Sequence, residues 1–151
     1  MIREYSEEHL AAEAGLLRTI PGVGEITANA FAAYVPDPGR FGRARDAGSY
    51  FGLVPGQDQS GDGDAPRRIT KTGSALMRHL LVTAANYIMR DSSPDTALKR
   101  HGLRICARGG KVARRKAKTA VARKLAVVML AMLKSGKAYD GAPAAKTAGA
   151  A

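Results

Sequence analysis

Apolar residues recur every three or four positions along most of this chain, the period of helices with one buried face, and no stretch alternates as a half-buried strand does. The pattern predicts a first helix capped by Ser6, with Glu7 and Glu8 in its positive first turn, running towards Leu17 and Ile20. A second helix spans about Ile26 to Tyr34 and stops before Pro36-Asp37-Pro38-Gly39. A short third, around Arg43 to Tyr50, leads into GLVPG. From Gln57 to Gly73 the segment QDQSGDGDAPRRITKTG has no apolar period and many turn formers, so it reads as a long polar loop, functional or disordered. Met77, Leu80, Leu81, Ala84 and Ile88 then mark an amphipathic core helix between Ser74 and Arg90. Ser93-Pro94-Asp95 reads as cap, first-position proline and first-turn acid of a helix towards Ala107, which Gly109-Gly110 breaks. The last helix, about Val112 to Lys134, puts Ala117, Val121, Leu125, Val128 and Met132 on one side. The fold class is all-α: one compact helical domain over residues 1–140, with a low-complexity tail, 141–151, expected to be disordered.

The join between the first two helices is the sharpest local signal. In LLRTIPGVGEITANAFAAYV, a Pro21-Gly22-Val23-Gly24 turn feeds directly into a helix. Both glycines can take positive φ, and neither carries a Cβ to hold another molecule off the backbone. Amides at a helix start, with the positive end of the dipole behind them, suit a phosphate oxygen. The stretch resembles a helix-hairpin-helix, with Gly22, Val23 and Gly24 as its nucleic-acid-binding residues. An ordinary glycine-containing link between two core helices is the plainer alternative.

Charge sharpens the choice. The chain has 151 residues and a formal charge of +11. Thr96 to Tyr139 carries 13 Lys or Arg and no acid, leaving 11 basic and 13 acidic residues elsewhere. A merely solvated helix face mixes signs, so a folded, single-sign block points to a polyanion, and nucleic acid fits best. Lys111, Arg114, Arg115 and Lys118 lie opposite the apolar side of the last helix, at its start, where they can meet phosphate while the other end anchors in the core. No apolar run approaches the roughly 20 residues of a membrane span, and the polar, acidic start is not signal-like, so no membrane partner is expected. The single cysteine, Cys106, excludes an intrachain disulfide and fits a reducing, cytoplasmic setting.

The polar loop holds the residues with chemistry to offer. Its DQSGDGD run mimics the start of an EF-hand, but Ile69 stands where the bidentate Glu belongs and Pro66 interrupts it. Asp58, Asp62 and Asp64 could form part of a magnesium site, although acids in a glycine-rich loop more often serve solvation. Ser60, followed by Gly61, is either a turn residue or a hydroxyl able to attack a phosphodiester, with Arg67, Arg68 and Lys71 at hand to neutralise the developing charge. His9, His79 and His101 show no ligand spacing with Asp or Cys, and no metal site is expected on this chain.

Four segments in order, LLRTIPGVGEITANAFAAYV, RFGRARDAGSYFGLVPGQDQSG, RRITKTGSALMRHLLVTAA and ARKLAVVMLAMLKSGKAYD, together resemble the C-terminal transposase domain of the DEDD-type insertion-sequence transposases. That family is related to the pilin-gene invertase Piv and includes bridge-RNA-guided recombinases. The resemblance covers about Leu16 to Asp140. It implies a DNA recombinase domain in which Ser60 forms a covalent phosphoserine link to DNA. Arg67, Arg68 and Lys71, in the segment matching the family's R-ITK-G motif, would act as catalytic cations. It also implies DNA as partner, a guide RNA in some members, and homo-oligomers of the full-length enzyme. The departure is large: family members carry an N-terminal RuvC-like domain whose four acids bind Mg2+, whereas this chain begins one short helix before IPGVG. An excised fragment or truncated gene product is therefore expected, incomplete as an enzyme, with Mg2+ arriving only with the missing domain. Two rivals stand beside this reading. One is a non-catalytic helix-hairpin-helix nucleic-acid-binding module. The other is an assembly module pairing through apolar stretches such as Leu125 to Leu133.

Overall fold

A computed structural model describes residues 2–54 and 73–140, with side chains from Glu7 onward. Among these residues there are six α-helices and no strand: α1 (Ile2–Leu17), α2 (Glu25–Tyr34), α3 (Asp46–Tyr50), α4 (Ala75–Ile88), α5 (Ala97–Cys106) and α6 (Gly110–Ser135), with one 3-10 turn at Pro38–Arg40. The all-α expectation holds. The tail, 141–151, lies outside the described residues.

The longest helix, α6, is the hub, packing against α1, α3, α4, α5 and the 3-10 turn. Its buried stripe grades from small to large residues: Ala113, Ala117, Val121, Leu125, Met129 and Met132. Alanines let neighbouring backbones approach closely, while Leu and Met fill the wider gaps. Leu17 and Ile20 from the first helix and its exit, Phe31 from α2, and Met77, Leu81 and Ile88 from α4 complete one continuous core. An aromatic ladder runs outward from it: Phe31 to Phe51 at 5.3 Å between ring centres, Phe51 to Tyr50 at 4.9 Å, and Tyr50 to Phe41 at 5.2 Å.

Three boundaries depart from the sequence reading. The first helix begins at Ile2, so residue 6 lies within it rather than capping it; the preceding residues include no Gly or Pro to stop it. The third helix is shorter than expected, because an Asp46 carboxylate oxygen accepts from the Arg43 amide (3.3 Å) and holds 43–46 as a turn. The cap of α5 is Thr96, whose hydroxyl accepts from the Lys99 amide (3.2 Å), and not Ser93. The Ser93 hydroxyl instead donates to the Tyr87 carbonyl, closing the end of α4. Ser74 does cap α4, accepting from the Met77 amide at 3.1 Å.

The chain beyond α6 is tied back to the domain. Gly136 takes a left-handed conformation and donates to the Met132 carbonyl (2.8 Å), after which the Tyr139 amide donates to the Thr19 hydroxyl (2.9 Å). Burial pushes the Tyr139 phenol above its ordinary pKa. A hydrogen bond with the Thr96 side chain opposes that rise, and the neighbouring Asp140 charge adds to it.

Candidate nucleic-acid interface

The turn between α1 and α2 gives its two glycines different roles. Gly22 has φ +99°, and a Cβ there would stand 2.9 Å from Ile88 Cγ1 and 3.0 Å from Tyr87 Cδ1. Its bareness therefore lets the turn close on α4, inside the molecule. Val23 is a correction to the sequence reading: its side chain is buried in the core and its amide donates to the Ile20 carbonyl (3.1 Å), so neither is presented to a ligand. Gly24 alone answers the description of an open position. It is extended (φ −89°), nothing lies within 4 Å of where its Cβ would be, and it supplies no side-chain cap. The first-turn amides of α2 thus lack intrahelical acceptors in an exposed part of the chain. Glu25 sits in that same turn, a negative charge that already answers part of the helix dipole.

At Gly73 the chain returns from the long polar segment beside the end of α3, forming a stem. Gly73 has φ +79°, and a Cβ on it would fall 2.5 Å from the Tyr50 carbonyl oxygen, so only glycine lets the returning chain pass so near α3. Arg78, in the first turn of α4, reaches both sides with one guanidinium nitrogen. It donates to the Phe51 carbonyl (3.4 Å) and to the Gly73 carbonyl (3.5 Å). Ser60, Arg67, Arg68 and Lys71 lie between these ends and outside the described residues, as do Asp58, Asp62 and Asp64.

A cationic cluster reaches this stem. His101 on α5 is held below its ordinary pKa, first by burial and then by the charges of Lys124, Arg104 and Arg123. Arg123 runs along α3: a Cβ at Gly48 would come 2.8 Å from Arg123 Cγ and 3.5 Å from Val54 Cγ1, at the last described residue before the polar segment. At the start of α6, Lys111, Arg114, Arg115 and Lys118 are all exposed, and no carboxylate among the described residues pairs with them. Such an array can attract and hold a polyphosphate backbone, with a weakly basic imidazole among its cations.

The sequence reading missed Arg123, whose partner surface on α3 is far away in the chain. It also over-counted the basic block. Lys99 is buried, with Nζ donating to the Ser93 (2.8 Å) and Asp91 (3.2 Å) carbonyls. Arg100 is held by Asp95 through two bonds (2.6 and 3.0 Å), and Lys134 donates to the Phe41 carbonyl (2.7 Å). These three cations serve the fold. Among the described residues no group of three or more His, Cys, Asp or Glu could hold a metal ion, and no helix is long and apolar enough to cross a membrane.

Residues 14–101 match the family model described as transposase IS116/IS110/IS902. The chain is 34% identical over 103 residues to the transposase for insertion sequence element IS1111A of Coxiella burnetii, covering 65% of this chain and 28% of that protein. It is 43% identical over 76 residues to putative transposase y4qE of Sinorhizobium fredii, covering 50% and 20% respectively. It is 37% identical over 91 residues to the transposase for IS1328 of Yersinia enterocolitica, covering 59% and 27%. The alignments thus span less than a third of each relative.

Proposed function

Because the chain belongs to the IS116/IS110/IS902 family of transposases, we propose that it is the DNA-binding and strand-cleaving domain of an insertion-sequence enzyme, with Ser60 as nucleophile. In this proposal the Ser60 hydroxyl oxygen attacks a backbone phosphorus. The Oγ–P bond forms as the bond to the departing strand breaks, and the departing strand oxygen takes up the proton the serine gives up. Arg67, Arg68 and Lys71 neutralise the charge that accumulates on the phosphoryl oxygens. The stem at Tyr50–Phe51 and Gly73, with Arg123 packed at Gly48 on the same helix, is the observation that carries this reading. A cationic surface there draws a strand to the base of the segment that bears the serine.

The α1–turn–α2 unit would act as a helix-hairpin-helix, gripping backbone through Gly24 and the first turn of α2. Lys111, Arg114, Arg115 and Lys118 would extend the same backbone track. A RuvC-like domain of the DEDD type would supply Mg2+ and complete the active site. The described residues offer no ligand set for that ion, and no step above runs through it. Catalysis by the isolated chain is not part of the proposal.

The test pairs this chain with a RuvC-like domain and a DNA substrate and looks for a covalent protein–DNA adduct that survives denaturant. Ser60→Ala should abolish the adduct and leave binding intact. A second reading, a non-catalytic binding module, draws on the position of Gly24, Arg123 and the α6 cations outside the polar segment. An adduct that persists in Ser60→Ala removes Ser60 as the nucleophile, and one that never forms with the partner domain supplied favours the module.

A further inference from the structure

Five of the eight aromatic residues of this chain fall between Phe31 and Phe51. Two of them do not serve the core alone: Tyr34 is 39% exposed and Tyr50 is 47% exposed. They flank a cavity of about 300 Å³ at the junction of α2, the 3-10 turn and α3, which Asp37, Arg40 and Phe41 also line. That volume sits at the small end of the range for ligand sites, roughly 300–1,000 Å³.

The Tyr50 ring is held in place. The Tyr50 hydroxyl donates to the Tyr34 carbonyl (3.2 Å), and its ring is gripped edge-on by Phe41 (86° between planes) and Phe51 (82°). A fixed, half-exposed ring loses little freedom when something flat is laid on it. The polar groups narrow the choice of occupant. Asp37 accepts from the Gly39 amide through one oxygen (3.1 Å), and its carboxylate would repel a phosphate while accepting from an exocyclic amine. Arg40 also lines the cavity and supplies positive charge there. Aromatic faces, a carboxylate and an adjoining guanidinium are the means by which proteins hold an unstacked base while its phosphate stays outside.

We infer that this cavity receives one unstacked nucleobase of a single-stranded stretch of DNA. Tyr50 is also the residue whose carbonyl the Gly73 stem passes. The choice of DNA rests on the proposed role of Ser60 in cleaving it, and the base held would be one close to the attacked phosphate.

The experiment compares the intact chain with Tyr34→Ser and Tyr50→Leu, after checking by circular dichroism and thermal melting that each variant is folded. Affinity is measured at fixed salt for a short single-stranded DNA, the matching duplex and the matching single-stranded RNA. Loss of a stacking ring should weaken single-stranded DNA binding by about 5- to 150-fold and leave the duplex within about twofold. Photocrosslinking of an oligonucleotide carrying 5-iododeoxyuridine should label peptides containing Tyr34 or Tyr50, which supports the site even where one variant fails to fold. Equal losses on duplex and single strand, or no loss on either, overturn the inference. A loss confined to RNA overturns the choice of DNA. Salt-independent duplex binding by the unmodified chain would instead sink the backbone-binding proposal, a separate failure.

Discussion

Gly22→Ala and Gly24→Ala form a matched pair, two positions apart, whose effects should diverge. At Gly22 the backbone has φ +99°, where a Cβ costs about 1–2 kcal/mol before any contact is counted. The new methyl also meets two side chains at or below 3.0 Å. Tyr87 is 43% exposed and can swing away, but Ile88 is 2% exposed and is walled in by the core. Over-packing of this kind adds about 1–3 kcal/mol. The two contributions together give roughly 2–5 kcal/mol, which for a domain of this size lowers the melting temperature by roughly 4–20 °C. At Gly24 the φ of −89° is open to any residue and the space beside it is empty. There the loss of a favourable helix cap and the lower entropy of the unfolded chain nearly offset each other, within about 1 kcal/mol. Differential scanning calorimetry at one pH measures both. If Gly22→Ala melts within about 2 °C of the parent, the turn does not close on α4 as described. In DNA-binding assays the order should reverse: Gly24→Ala weakens a folded protein, because its methyl sits where a phosphate would approach the α2 amides.

The remaining predictions concern charge. Duplex binding that neutralises about five phosphates should show a slope of log affinity against log salt near −4.5, and replacing Arg114, Arg115 and Lys118 by Gln should reduce its magnitude by about 2.7 without changing sequence preference. A flat salt response, or altered preference at unchanged affinity, contradicts the backbone assignment. Arg123→Gln should reduce the slope by about 0.9 and leave the melting temperature nearly unchanged, as titrations across a salt series would show. Tyr139 has a raised pKa in the folded state, so its contribution to stability is complete below the ordinary tyrosine value near 10 and is lost as pH rises through the folded value. Tyr139→Phe should therefore flatten the fall in melting temperature above about pH 10; an unchanged alkaline profile would remove the phenol from that role.

Much of the helical scaffold could be read from periodicity because burial on one face leaves a regular trace. Met77, Leu81, Ala84 and Ile88 are buried as their spacing implies, and so are Ala117, Val121, Leu125 and Met132. What failed was the choice among locally equivalent residues. Ser93 and Thr96 are both competent caps, and only the position of the Tyr87 carbonyl decides that Ser93 closes one helix while Thr96 opens the next. Gly22 and Gly24 look alike in IPGVG for the same reason: the side chains that distinguish them belong to α4, more than sixty residues on.

The cations make the stronger case, because counting charge treats every Lys and Arg as equal and the fold does not. Lys99 sits within the acid-free block yet is buried, and Arg100 is matched by Asp95, one residue outside the block's edge. Charge excess alone would assign both to a polyanion. Arg123 shows the converse. It lies well past the basic start of α6, and it gains significance only because α6 lies across α3, where Gly48 has no side chain to obstruct it and Val54 leads into the polar segment. A cation that is free in composition can thus be engaged in structure, and one that looks incidental can stand at the stem. The proposed interface therefore rests on the positions of Arg123, Lys124, Arg104 and the first turns of α6 and not on the total of +11. That distinction is measurable: removing Lys99 should lower stability by leaving two carbonyls without their donor, whereas removing Arg123 should act on binding.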